Sequence, residues 1–128
     1  MSKITAAITA VGGYVPEFVL TNKLLETMVD TNDEWITTRT GIKERRILKG
    51  EGKGTSFMAI KAAEQLFKKS GVNPKDIDLV IVATATPDMK AASTAAYTAT
   101  KIGAVNAFSY DLEAACSSFL YGMSAASA

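Results

Sequence analysis

Ile77-Asp78-Leu79-Val80-Ile81-Val82-Ala83 is the stretch on which the fold turns: Leu79 to Val82 run without a polar residue. An unbroken apolar run of this length suits a strand buried on both faces of a layered α/β sheet. Asn73-Pro74-Lys75-Asp76 before it reads as a turn. After it, Ser93 to Ile102 reads as a helix capped by Ser93 and stopped by Gly103, and Ala107 to Leu112 as the next strand. Cys116 then opens an Ala/Ser/Met-rich helix running to Ala128. Upstream, Thr55 or Ser56 caps a helix to Ser70. Its apolar stripe is Phe57, Ile60, Ala63 and Phe67, and Gly71 is its stop.

Nearer the N-terminus, Ile4 to Val11 reads as a strand closed by a Gly12-Gly13 turn, and Pro16 breaks the pattern. Thr21 or Asn22 caps a short helix through Leu24, Leu25 and Met28. A second helix spans Asp33 to about Thr38, with Asn32 as its cap and Gly41 as its stop. Lys43 to Leu48 fits a strand, and Gly50 to Gly54 a surface loop. Strands alternating with helices indicate an α/β fold. Ser124 to Ala128 carries no Gly, Pro or charge, so the chain is expected to be truncated inside its last helix.

Composition excludes several classes of function. The 128 residues form one domain of common size, and 14 Lys+Arg against 13 Asp+Glu leave a net charge of +1, too small an excess for a duplex-binding domain. No apolar run approaches the roughly 18 residues of a membrane span. With one cysteine, no intrachain disulfide forms, and a cytoplasmic location is expected. The chain has no histidine, so no Ser-His or Cys-His pair and no His-containing zinc site forms within it. No metal site is expected.

Two stretches carry chemistry. Cys116 sits at a strand-to-helix turn, Asp111-Leu112-Glu113-Ala114-Ala115-Cys116-Ser117-Ser118. Helix N-terminal amides there favour a thiolate nucleophile and can hold an oxyanion. The plain alternative is a buried core thiol. In Thr31-Asn32-Asp33-Glu34-Trp35-Ile36-Thr37-Thr38-Arg39-Thr40-Gly41-Ile42, Trp35 and Arg39 lie four apart on one helix face. An indole and a guanidinium so placed can clamp a flat ring. The plain alternative is a half-buried Trp covered by an Arg stem. The basic residues from Arg39 to Lys53 would suit a phosphorylated ligand or simply a solvated face.

Four blocks resemble β-ketoacyl-acyl carrier protein synthase III, a thiolase-fold condensing enzyme. They are Gly12-Gly13-Tyr14-Val15-Pro16, Asp33 to Ile42, Asp78-Leu79-Val80-Ile81-Val82-Ala83-Thr84 and Ala114-Ala115-Cys116-Ser117. The resemblance runs from Ile4 onward. It implies that residues 1–128 are the N-terminal half of a thiolase-like αβαβα enzyme. The reaction implied is acyl-CoA plus malonyl-acyl carrier protein giving a β-ketoacyl-carrier protein, CO₂ and CoA, with no cofactor beyond the CoA thioester. Cys116 matches the acyl-accepting nucleophile, Trp35 and Arg39 the pair stacking on the CoA adenine, and Thr31 a nearby adenine contact. The family's decarboxylating His and Asn match nothing here, so the isolated chain is expected to be inactive. Acyl-CoA, malonyl-carrier protein and a second protomer are the implied partners; nucleic acid and membrane are not.

Two departures from the family pattern stand out. Ser118 replaces a frequent Gly and is expected to change little. Ala91-Ala92 replace a bulkier pair in a segment that crosses the family's dimer interface and walls the partner's acyl pocket. The alternatives are another thiolase-fold acyltransferase and a catalytically silent dimerising fragment.

Overall fold

The structure, a computed structural model, describes residues 6–128. They form two compact units: Val15–Lys53, and Gly54–Ala128 together with the described residues up to Tyr14.

In the Val15–Lys53 unit, strand β1 (Phe18–Thr21) leads directly into helix α1 (Asn22–Leu25). Helix α2 (Asp33–Thr40) follows, then strand β2 (Glu44–Ile47). β1 and β2 pair antiparallel, Phe18 opposite Ile47 and Thr21 opposite Glu44. β1 has no counterpart in the sequence reading, which let Pro16 end the extended pattern. A proline just before a strand costs no ladder hydrogen bond, and Phe18-Val19-Leu20-Thr21 are good strand formers. Both helix caps follow their chemistry. Thr21 Oγ1 accepts from the Leu24 amide at 3.1 Å, and Asn32 Oδ1 from the Trp35 amide at 2.7 Å. α1 stops at Leu25, short of the expected Met28. α2 runs two residues past Thr38 to Gly41, whose φ of 72° is the left-handed stop.

The larger unit is a βαβ arrangement. Helix α3 (Thr55–Ser70) precedes strand β3 (Leu79–Ala83), helix α4 (Thr94–Ile102), strand β4 (Phe108–Leu112) and helix α5 (Ser118–Ala126). β3 and β4 pair parallel, Leu79 opposite Phe108 and Ala83 opposite Leu112. A parallel pair needs a crossover, and α4 supplies it. Helix α5 lies over Leu79, Ile81 and Ala83: a Cβ on Gly122 would meet Ile81 Cγ2 at 3.7 Å. Period-2 alternation turns Val80 and Val82 to the opposite face. The buried apolar residues here are Val82, Ala95, Ala99 and Ala104. Small side chains on α4 allow a close approach to its neighbours. β3 is less enclosed than its sequence implied: of its five residues only Val82 is buried.

Two further expectations are corrected. Ala6 to Pro16 adopt no regular strand, and Ile4 and Thr5 lie outside the described residues. Gly12-Gly13 is not a strand-closing turn but a close passage over α3. A Cβ on Gly12 would stand 2.5 Å from the Ala62 carbonyl oxygen, and the Gly13 amide donates to Gln65 Oε1 at 2.9 Å. Neither Thr55 nor Ser56 caps α3; the cap position is Gly54, and the Ser56 amide donates to the Asp88 carboxylate at 3.0 Å. A distant carboxylate at a helix N-terminus satisfies a free amide and complements the dipole.

Thr98 on α4 is 3% exposed, and its Oγ1 has no hydrogen-bond partner among the described residues. Thr98→Val keeps the shape and removes the buried hydroxyl. It is expected to raise stability by about 1 kcal/mol, read as a higher urea midpoint at unchanged slope. No helix among the described residues is long and apolar enough to cross a membrane.

Candidate functional site

Cys116 lies where β4 ends and α5 begins, within a single turn of 3-10 helix, Ala115–Ser117. Its surroundings are built by the residues on either side. Asp111 of β4 accepts from the Thr94 amide at 2.8 Å and the Ala95 amide at 2.7 Å. This bolts the N-terminus of α4 to the strand that delivers the cysteine. Past β4 the chain turns sharply, and Ala115 takes φ 46°, the one positive φ at a non-glycine among the described residues. Left-handed backbone at an alanine costs on the order of 1–2 kcal/mol.

Ser118 holds that turn from the inside. It is 4% exposed; its Oγ accepts from the Ala114 amide at 2.7 Å and donates to the Ala115 carbonyl at 2.8 Å. The Ser-for-Gly departure therefore adds two hydrogen bonds across the strained residue, more than the sequence led one to expect. Cys116 itself is exposed. Carboxyl ends of strands are where open α/β sheets bind ligands. An open hollow between α5 and β3, lined by Leu79, Ile81, Phe119 and Gly122, does not include Cys116.

Ser118→Gly removes both hydrogen bonds and leaves the part-buried Ala114 amide without its partner. A loss of about 1–3 kcal/mol in stability is expected, together with altered Cys116 alkylation by iodoacetamide. Urea melts and timed mass spectrometry check the two.

Ala91 and Ala92 are exposed on the bend segment before α4. That segment is pinned at both ends. Asp88 holds the start of α3, and the Asp88 amide donates to the buried Thr94 Oγ1 at 3.1 Å. At the other end Ser93 caps α4, accepting from the Ala96 amide at 2.9 Å. Neither Asp88 nor Asp111 stood out in the sequence. Each is a carboxylate that needs donors, and which donors it meets is a tertiary matter.

In the other unit the structure brings Thr31, Trp35 and Arg39 into one neighbourhood. Trp35 is 53% exposed, and the Arg39 guanidinium carbon stands 5.2 Å from its ring centroid. Thr31 lines a small hollow with Asp30, Asn32 and Trp35. The Trp35–Arg39 pair is closed on itself: a ring inserted between two stacked groups needs roughly 7 Å. A flat ligand therefore either displaces the exposed Arg39 or stacks on the Trp35 surface at the hollow, with Arg39 remaining on the indole. Three other basic residues of this unit already have partners. Arg45 reaches Asn22, Arg46 pairs with Glu44 at 3.7 Å, and Lys49 Nζ lies 3.2 Å from the Phe18 ring centroid. No group of three or more His, Cys, Asp or Glu able to hold a metal occurs among the described residues.

No family model matches the chain. It is 62% identical over 126 residues to β-ketoacyl-acyl carrier protein synthase III 2 of Bacteroides thetaiotaomicron, covering 98% of this chain and 38% of that protein. The synthase III of Porphyromonas gingivalis W83 is 56% identical over 123 residues, covering 96% of this chain and 37% of that one. The solved synthase III of Thermus thermophilus superposes with a TM-score of 0.87 at 46% identity, over 94% of this chain and 37% of that chain. The chain thus resembles β-ketoacyl-acyl carrier protein synthase III along almost its whole length. It carries the corresponding part of that thiolase-like α/β fold, and it spans about 38% of the length of the curated relatives it matches.

Proposed function

We propose that these residues form the nucleophile-bearing part of a β-ketoacyl-acyl carrier protein synthase III. The observation that carries the reading is an exposed cysteine at a strained strand-to-helix turn, at the carboxyl end of a parallel strand. In the proposed reaction the Cys116 sulfur attacks the thioester carbonyl of acyl-CoA. A new carbon–sulfur bond forms, the old one breaks, and CoA leaves as its thiol. Malonyl-carrier protein then loses CO₂, and the resulting carbanion attacks the acyl group on Cys116. That releases the sulfur and yields a β-ketoacyl-carrier protein.

Trp35, Arg39 and Thr31 recognise the nucleotide end of CoA in this reading. The base stacks on Trp35, and a cation on the indole adds to that surface. The enolate formed on decarboxylation needs donors. The chain has no histidine, so the imidazole that the family uses comes from residues outside these 128. Residues 1–128 are then one portion of a longer cytoplasmic enzyme that works as a homodimer. Ala91 and Ala92 contribute to the acyl pocket of the other protomer.

The test is product formation by the complete enzyme. Radiolabelled acetyl-CoA with malonyl-carrier protein should give labelled acetoacetyl-carrier protein and CO₂, and the 128-residue chain alone should give neither. Transfer of acetyl to an acceptor without CO₂ release would favour a different thiolase-fold acyltransferase. The pocket assignment has its own check. Ala91→Phe should lower kcat/KM for long or branched acyl-CoA while sparing acetyl-CoA, by about 0.8 kcal/mol for each methylene no longer buried. An unchanged chain-length profile would remove Ala91 from the pocket.

A further inference from the structure

Asn22 is 1% exposed, one of the two largest fully buried side chains among the described residues, and it is polar. Both of its polar side-chain atoms are partnered. Its Nδ2 donates to Asp33 Oδ1 at 2.7 Å and to the Ile42 carbonyl at 2.7 Å, with a longer contact to Thr37 Oγ1 at 3.3 Å. Its Oδ1 accepts from Arg45 Nη1 at 2.6 Å. Its own amide donates to the Lys43 carbonyl at 3.2 Å, and its carbonyl accepts from the Glu26 amide at 2.9 Å. One side chain thus ties the first turn of α2, its middle, the loop that ends it and strand β2 to the start of α1. Thr37 Oγ1 also donates to the same Asp33 oxygen at 3.2 Å, closing a ring of polar groups beneath the helix.

The rest of α2 has little to hold it. Ile36 is the one buried residue on this eight-residue helix. An isolated helix of that length is unstable in water, so its place is set by tertiary contacts. Two of those contacts, Asp33 and Thr37, bracket Trp35 in sequence, and Ile42 follows Arg39 by three residues. We infer that Asn22 is the positioning residue that fixes the helix carrying Trp35 and Arg39, and so sets recognition of the nucleotide end of acyl-CoA. This rests on the proposed function for its substrate, but the geometry of the hub is independent of it.

Only a neutral amide fits this position: two N–H donors and one acceptor on a two-carbon reach. Asn22→Asp keeps the size and loses both donors. It sets a carboxylate against Asp33 and against the Ile42 carbonyl. Asp33→Asn in the same chain restores a donor between positions 22 and 33 and leaves only the Ile42 carbonyl unsatisfied.

The experiment measures kcat/KM of the complete enzyme for acetyl-CoA and for acetyl-pantetheine, which lacks the nucleotide. In wild type, acetyl-CoA should be strongly preferred. In Asn22→Asp that preference should fall roughly tenfold, through KM for acetyl-CoA, and the double variant should recover part of it. Hydrogen exchange read by mass spectrometry should show lost protection over residues 33–40 with β3 and β4 unchanged. A loss shared equally by both thioesters, or no change in preference, overturns the inference and leaves the proposed function standing. A wild type that uses both thioesters alike overturns the nucleotide-recognition reading and the inference with it. Should Asn22→Asp fail to fold, Arg45→Met asks the same question by removing the donor to Asn22 Oδ1, with a smaller fall in preference expected. An unchanged preference there is equally fatal.

Discussion

Cys116→Ser is expected to abolish acyl transfer from acetyl-CoA, by roughly three orders of magnitude or more in the rate of acyl-enzyme formation. A serine hydroxyl ionises far less readily than a thiol, and a helix N-terminus alone does not turn it into a competent nucleophile. The turn that presents residue 116 is built by Ala114, Ala115 and Ser118, none of which changes, so the variant should keep the fold. Intact-mass spectrometry after mixing with acetyl-CoA decides the matter. The wild type should gain one acetyl group, and the variant none on the same time scale. Acetylation of both proteins at similar rates would place the nucleophile elsewhere.

Trp35→Ala should cost about 1–3 kcal/mol in kcat/KM for acetyl-CoA, or roughly a 5-fold to 150-fold loss, the range for losing one base–aromatic stack. The loss should be selective for the nucleotide-bearing substrate, because Trp35 is 53% exposed and presents much of its indole to solvent. Arg39→Ala is the companion measurement. Its guanidinium lies on the indole in the absence of ligand. If the base takes Arg39's place against the ring, Arg39→Ala should weaken acetyl-CoA less than Trp35→Ala does. If the base instead stacks at the hollow beside Thr31, Arg39→Ala should lose only the cation's contribution, about 0.5–1 kcal/mol at an exposed site. Equal losses with acetyl-CoA and acetyl-pantetheine would mean that Trp35 is packing alone.

Local signals were legible along the chain. Asn32 and Ser93 cap the helices they were expected to cap. Gly41, Gly71 and Gly103 stop theirs in left-handed geometry, at φ of 72°, 71° and 82°. These elements depend on residues within one turn of each other, so sequence spacing carries the whole argument. The extended readings of Ile77–Ala83 and Ala107–Leu112 hold over Leu79–Ala83 and Phe108–Leu112. The elements that went astray depend on distant partners. Gly12-Gly13 looked like a turn because glycine is a turn residue. It is needed because the chain passes against the backbone of α3, some fifty residues later in sequence by the Gly13–Gln65 bond. The missing side-chain cap on α3 comes from Asp88, across 32 positions.

The candidate site divides along the same line. Sequence alone determined which side chains have the chemistry: one thiol at a strand-to-helix turn, and an indole four residues from a guanidinium. It determined the absence of an imidazole as well. Tertiary structure decided what those groups can reach. It left Cys116 exposed, turned Ala115 to φ 46° and put the Ser118 hydroxyl beneath it. It closed Arg39 onto Trp35 and placed the buried Asn22 amide under their helix. Asn22 shows the reason most plainly. In sequence it is one of two residues able to cap α1, and Thr21 takes that role. Its own partners lie 11 to 23 residues away, at Asp33, Thr37, Ile42 and Arg45. A buried amide is satisfied only by groups that folding brings to it, and no local pattern records which groups those are.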